Sequence, residues 1–587
     1  MPRDASVSRS TLYAPPSEAA QPLNVVLVTP PRVPGWMAAL SQLASACDWI
    51  VLTVVTVPGM PLGRMQRVRW GLRAFCYLQR VLGKGREGSI SPTDVDADGG
   101  IAGAVASTVR VRAESVPAHV GELGPDLVLL AGPHQMAVEL AAVARLGCWQ
   151  VGPTLTDPLH AGLSLLGPMI RGEDVSQVAL TLEPVEGEAL PLADSWGRTR
   201  FSSFRLQREM AFRKIAPLLL RALRDVCRGS VPRPFQGIAT LRLQEQPLGR
   251  FAGARAILSV MGAALRSMKA RARKPPHWAL VLRSDGAALD PTTPTIGPHQ
   301  ILKAERGWWA DPCVVRSDGR TLVFVEEMLD DGRNKGIITC IEVERGRTRR
   351  LGTVLEEAGH LSFPQPFNWE GQWYMTVETG YGRRASLYRA TDFPLHWTRE
   401  RDLLTGWECV DPTLFHHEGR WYLFANVAEC GNSTWDELFL FVADSLHGEF
   451  KPHPMSPVVS DVRHARMAGK LFHRDGRLIR PAQNCGAGYG AAVVFHEVLE
   501  LGPDTFRERP LSQLAPDWAP ALDACHTYSV DGDVELLDVR GWLPTPAGGV
   551  KVSGPGTGST AAFDAPAGPI ALRDRPWRWR RARTQQR

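Results

Sequence analysis

The sequence has no apolar run long enough to cross a bilayer. Its longest, Trp49–Val57, is less than half of the roughly 20 residues that a spanning helix needs. The opening MPRDASVSRSTLYAPPSEAA contains no apolar core of a secretory signal. These two features set the expectation of a cytoplasmic protein, with the inner face of the membrane as a peripheral location. The ten cysteines are scattered and form no CxxC pair. That spacing excludes zinc ribbons and small disulfide frameworks and suits buried thiols in a reducing compartment. A P-loop, a GxGxxG after a strand, an HExxH and a GxSxG elbow are all missing, and no metal-ligand set is legible. The main body also lacks excess positive charge. The net charge is +6, but Arg573–Arg587 alone carries seven Arg against one Asp, and Leu248–Lys274 carries seven basic residues and no acid. The remainder is mildly acidic, which argues against a nucleic-acid partner. Segment 248–274, with helical periodicity, and tail 573–587 are the expected contacts with an anionic membrane surface.

At 587 residues the chain is too long for one core. Residues 1–22 are polar and Pro/Ala-rich and read as a disordered leader. From residue 23 to about 230, β-branched runs alternate with helical stretches: LNVVLVT, then Gly35–Cys47, Trp49–Val57, PDLVLLA, His134–Leu146 and Cys148–Val151. That alternation predicts a doubly wound α/β domain closed by a long helix over Phe204–Arg228. Residues 231–275 form a basic helical linker, and 544–587, rich in Gly, Pro, Ala, Ser and Thr before turning basic, a disordered tail.

Between residues 276 and 543 the chain repeats itself. Asp311–Glu327 (DPCVVRSDGRTLVFVEE), Phe363–Thr379, Asp411–Val427 (DPTLFHHEGRWYLFANV), Met467–Gln483 and a weaker His526–Trp542 each consist of an apolar strand, an acidic-Gly turn and a second apolar strand. A D-G or E-G pair between such strands marks a tight hairpin, because the turn needs positive φ. Periods near fifty residues with several strands each predict a five-bladed β-propeller. Trp278–Leu282 is expected to complete the last blade and close the ring, removing an exposed edge.

Two repeats open with Asp-Pro, at Asp311 and Asp411, in the position where innermost strands start near a propeller axis. Glu326, Glu327 and Glu378 end second strands. Carboxylates gathered in one concavity push each other's pKa values apart, which separates an acid from a base, and glycosyl chemistry uses such a pair. Strand capping, or pairing with Arg466 and Arg480, is the structural alternative for these acids.

The runs WWADP, HLSFPQPFNWEGQWYM, LYRATDFPLHW, DPTLFHHEGRWYLFA, RMAGKLF and RPAQNCGAGYG resemble the five-bladed propeller family named for the N-terminal part of plant glucosamine inositolphosphorylceramide transferases. More remotely, the region is similar to the propellers of furanosidases, arabinanases and invertases. The resemblance implies Asp311 as base or nucleophile, Asp411 as the partner that orients the acid and raises its pKa, and Glu378 as the acid. Trp309, Glu326 and Glu327 are further candidate substrate contacts. Arg466 and Arg480, with Gln483, Tyr489 and His526, suit a phosphate-bearing sugar donor or a lipid-linked acceptor, because Arg binds phosphate oxygens through a planar fork. An activated sugar is the expected donor and a sugar or lipid-linked saccharide the expected substrate. Where many of those hydrolases carry the acid, in a later blade, this chain has Arg480 and Gln483, which favours transfer over hydrolysis. Residues 23–228 look like a formyltransferase fold through SLLGPMIRG and VEGEAL. The family's Asn and His positions hold His160 and Gly162, with Glu186 or Glu188 near its acidic element, so formyl transfer is not expected. The resulting reading is glycosyl transfer in polysaccharide or glycolipid biosynthesis. An intracellular glycoside hydrolase and a non-catalytic glycan- or partner-binding protein are the alternatives.

Overall fold

The computed structural model describes residues 12–15, 21–61, 95–96, 107–156, 165–229, 237–244, 248, 251–271, 276–284, 287–332, 335–542 and 551–552. The N-terminal domain is built on an eight-stranded mixed sheet. In spatial order its strands are Ser107–Arg110, Ile50–Thr56, Leu23–Thr29, Leu127–Leu130, Cys148–Val151, Ile238–Leu243, Val175–Pro184 and Leu190–Arg198. The first six run parallel, and the last two form an antiparallel hairpin at the edge. The parallel strands are apolar on both faces because both are covered. Val25, Leu27, Leu127 and Leu129 pack under helices Gly35–Ala44 and Phe204–Cys227, while Val26, Val28, Val128 and Leu130 pack under Val116–Glu122 and His134–Val143.

Two expectations about boundaries change. Strand Ile238–Leu243 lies inside the expected linker, yet it inserts between Cys148–Val151 and Val175–Pro184, so the domain continues to at least residue 243. Leu12 and Tyr13, assigned to the leader, are buried, because the Tyr13 hydroxyl donates to Glu429 (2.8 Å) inside the propeller. His160, Gly162 and tail 573–587 lie outside the described residues.

Five blades follow: the first three are four-stranded sheets, the fourth a five-stranded sheet and the fifth a six-stranded one. In the first four, the hairpin turns Asp318-Gly319, Glu370-Gly371, Glu418-Gly419 and Asp475-Gly476 hold both central residues at positive φ, the mirror-image turn that matches strand twist. The fifth blade joins the two ends of the propeller: His277–Arg283 pairs antiparallel with Val534–Gly541, the closure expected from the sequence. Neighbouring blades are stitched together around the ring. Phe363 N–H donates to Asp311, Thr376 to the Pro412 carbonyl, Met467 N–H to Asn426, Tyr528 N–H to the Ala468 carbonyl and Val314 N–H to Ser529.

The two domains share one apolar core reaching from the sheet and helix Phe204–Cys227 into blades 2 and 3. Around it the helix buries three cations against blade 3 and its neighbouring loops: Lys214 on Asp436 (2.7 Å), Arg221 on Glu429 (3.2 Å) and Glu437 (3.1 Å), and Arg224 on the Ser456 carbonyl (2.6 Å).

Candidate active site

Three innermost strands begin in the same unusual way. Asp311, Phe363 and Asp411 each precede a proline, have φ of 49°, 50° and 51°, and sit where the strand ladder slips register. A left-handed φ costs a residue with a side chain about 1–2 kcal/mol. The bulge redirects that side chain out of the strand's regular alternation. The proline that follows has no N–H to leave unpaired. The two aspartates therefore turn towards neighbouring blades. Asp311 accepts from the Phe363 amide of blade 2 (3.2 Å) and from the Thr527 hydroxyl of blade 5 (2.9 Å). Asp411 accepts from Arg466 Nε (2.5 Å) and from Gln483 Nε2 (3.3 Å), both of blade 4.

Second strands end beside these starts: Ala310 faces Glu326, and Ser362 faces Glu378 across their ladders. Glu378 Oε2 accepts the Asp411 amide (3.3 Å) and lies 3.7 Å from Arg466 Nη2. Burial first, then the charge of Asp411, push the Glu378 carboxyl up to about 8 against the pull of Arg466. Burial likewise pushes Asp311 up to about 7, opposed by His526 and helped by Glu326. Glu326 is held 3.2 Å from His360 Nε2, and His360 Nδ1 accepts the Gly336 amide.

On the blade 5 side, His526 lies between two carboxylates, with Nδ1 2.7 Å from Asp538 and Nε2 3.4 Å from Asp311. Burial opposes its cation, but Asp538 and then Asp311 outweigh it and raise the imidazole pKa. Asp538 also accepts the amides of Asp311, His526 and Thr527. Asp311, His526 and Asp538 each present a possible ligand atom within 4.8 Å of the others. The bonds just given already engage those atoms with one another and with backbone amides. An aromatic wall adjoins the acids. Tyr489 lies over the Arg466 guanidinium (4.9 Å), edge-on to Trp278 and His526 and tilted against Trp435 (5.6 Å), while Trp278 stacks on His526 (4.1 Å).

The structure thus brings Asp311, Glu326, Glu378, Asp411, Arg466, Gln483, Tyr489 and His526 into one network. Three expected contact residues are held elsewhere. Glu327 is occupied by Trp309 Nε1 (3.1 Å), Thr339 (2.7 Å) and Arg350 (2.9 Å), so both Trp309 and Glu327 brace blade 1. Arg480 grips Glu508 with two N–H groups (2.7 and 2.5 Å) and also donates to the His464 carbonyl. Adjacent strand residues point to opposite faces, so Glu326 and Glu327 cannot share one site, nor can Arg480 and Gln483 three positions apart. His360, Asp538, Thr527, Trp278 and Trp435 were not anticipated. His360 could have been suspected from its place in HLSFPQPF, directly before a bulged strand.

Ring, bulged strand starts and clamped carboxylates define a five-bladed β-propeller with an acidic cluster where its innermost strands begin. Residues 287–517 match the family model described as glucosamine inositolphosphorylceramide transferase 1, N-terminal, and this shows the resemblance read from the propeller's motifs. Among curated proteins, the chain is 31% identical over 241 residues to glucosamine inositolphosphorylceramide transferase 1 of Arabidopsis thaliana, covering 40% of this chain and 31% of that protein. To the protein of the same name from Oryza sativa subsp. japonica it is 29% identical over 255 residues, covering 42% and 34%. The chain therefore spans about a third of the length of the curated relatives it matches. Among solved structures, an exo-1,5-alpha-L-arabinanase from a bovine ruminal metagenomic library is similar at 10% identity and a TM-score of 0.29, over 38% of this chain and all of that one. That superposition is too loose to bear on activity.

Proposed function

We propose that the propeller catalyses glycosyl transfer in glycolipid or polysaccharide assembly, from a sugar activated by a phosphate leaving group to a sugar or lipid-linked saccharide acceptor. One observation carries the reading: two Asp-Pro strand starts from equivalent blade positions lie close enough for their charges to act on each other, and Arg466 clamps one of them, Asp411, beside Glu378 in the buried interior. The match of that segment to a transferase family supports it. In the proposed step, the acceptor hydroxyl gives its proton to the Asp311 carboxylate and its oxygen bonds to the anomeric carbon. The bond from that carbon to the phosphate oxygen breaks, and its electron pair leaves with the phosphate. Glu378, protonated near neutral pH, donates to the departing oxygen. Asp411 and Arg466 hold Glu378 in place, and any Arg466 N–H freed by the substrate suits a phosphate oxygen. The N-terminal domain, whose formyltransferase-like character rests on short motifs, serves as scaffold.

Asp311→Asn and Asp411→Asn test this. Asn tolerates a left-handed φ, so both variants should fold. Each should lose at least about 100-fold in turnover, read by mass spectrometry of sugar transferred to a saccharide or glycolipid acceptor panel. Wild-type turnover in both would refute the assignment. Hydrolysis is the second reading, favoured by Glu378 itself, because a carboxyl still protonated near pH 7 is what an alkoxide leaving group requires. Release of reducing sugar from glycosides without any activated donor would select it.

A further inference from the structure

Helix Ala252–Arg271 lies between the two domains in the sequence and is apolar on two opposite faces. One is used. Ala252 and Ala256 are buried with Leu166, Met169 and Phe204 of the N-terminal domain, and the Ser259 hydroxyl donates to the Met169 carbonyl (2.8 Å). The other is bare. Phe251, just before the helix, and Leu258, Met261, Leu265 and Met268 are 56–77% exposed, and their spacing keeps them in one stripe of about 100° along the helix. Exposed Arg255 and Arg266 lie beside that stripe, and residues 248–274 contain seven basic residues and no acid.

We infer that this face is an interfacial anchor that lies in the headgroup region of an anionic bilayer. Bare apolar side chains on a helix whose charged residues are all basic match what such a surface offers: hydrocarbon below and negative charge at the level of the headgroups. A second copy fits less well. The same stripe read as a coiled-coil seam puts positions 255, 269 and 271, all basic, at the flanks, where two copies would set like charges against each other. No described helix is long and apolar enough to span a membrane, so the contact is one of lying on the surface. The anchor also bears on the acidic cluster. Only six residues separate Arg271 from Trp278, the ring stacked on His526, a reach of at most about 25 Å. A bilayer holding the helix would hold the aromatic wall near its surface, where a lipid-linked acceptor is found. That consequence rests on the glycosyl-transfer reading, whereas the anchoring does not.

The experiment is flotation of the full chain with vesicles of phosphatidylcholine, with and without about 30 mol % phosphatidylserine. The wild type should float with the anionic vesicles and be released by salt. The exposed-face variant Leu258→Ser/Met261→Ser/Leu265→Ser/Met268→Ser should keep its thermal melt and lose at least about tenfold in partitioning. Arg255→Glu/Arg266→Glu should weaken binding to anionic vesicles only, and it decides the matter if the serine variant fails to fold. Both variants retain tail 573–587, so undiminished flotation of both would assign adhesion to the tail and overturn the proposal. Wild type that ignores anionic vesicles would also overturn it, as would a dimer that the serine variant dissolves in place of vesicle binding. Because no substrate is present, failure here leaves the glycosyl-transfer reading standing, and inactive Asp311 and Asp411 variants leave the anchor standing.

Discussion

Glu378 and Asp311 are acids held out of water, and burial raises both, to about 8 and about 7. In the proposed step Asp311 must be ionised and Glu378 protonated, so activity should rise through about pH 7 and fall through about pH 8. Each limb reports an acid together with the charged groups around it, Asp411 among them for both. A rate constant unchanged from about pH 5 to pH 10 would refute this division of roles. Stability follows the same protons. Both folded-state values lie above the unfolded carboxylate value of about 4, so the native state binds extra protons between about pH 4 and pH 8. The native state is thus most favoured at the acid end of that range and loses stability as pH rises through it. Asp311→Asn and Glu378→Gln, neutral isosteres, should each flatten that decline and gain on the order of 2 kcal/mol at pH 8, as read by denaturant melts across pH. Which acids were candidates was legible in the sequence, from Asp-Pro at matching repeat positions and Glu at strand ends. Their partners were less so. Asp538 and His526 meet Asp311 only because the last blade returns to the first, a contact made across more than 200 residues.

Within the blades, glycine does two different jobs, and they predict different losses. At Gly419, φ is 76° and a Cβ would meet nothing within 4 Å, so only the turn's backbone preference is at stake. Gly419→Ala should cost about 1 kcal/mol and leave turnover unchanged. Gly490 has φ 59°, and a Cβ there would come within 2.4 Å of His526 Cβ. Gly490→Ala should therefore displace the imidazole from Asp311 and Asp538, lowering turnover as well as the melting temperature. Equal effects of the two variants on turnover would contradict the placing of His526 in the site. The first glycine was legible as a turn signal because an E-G pair between apolar runs has one physical use. The second was not, because its requirement comes from a ring packed on it from another blade. The same limit explains Arg480. Its charge suggested a phosphate contact, but strand alternation sends it to the face opposite Gln483, where Glu508 holds it.

At the scale of the whole chain, the repeat gave away the ring, whereas the joint between the domains left no pattern to find. Its charges are single residues on a helix and on blade 3 with no shared spacing. Arg221 stands at the centre of that joint, almost fully buried between Glu429 and Glu437, with the Tyr13 hydroxyl 3.2 Å from its Nε. Arg221→Met would keep much of the packing but leave two buried carboxylates without that cation. Removing one member of a buried ion pair typically costs about 3–5 kcal/mol. Since one core runs through both domains, the wild type should unfold in a single transition, and the variant should separate into two. The penalty should depend on pH. Burial already raises the Glu429 pKa, with Arg221 opposing the rise, so losing Arg221 raises it further. Protonation neutralises the orphaned carboxylate, so the variant should regain part of its stability as pH falls from about 8 to about 5. Calorimetry at the two pH values checks this, and an unchanged single transition would mean that the polar contacts do not join the domains.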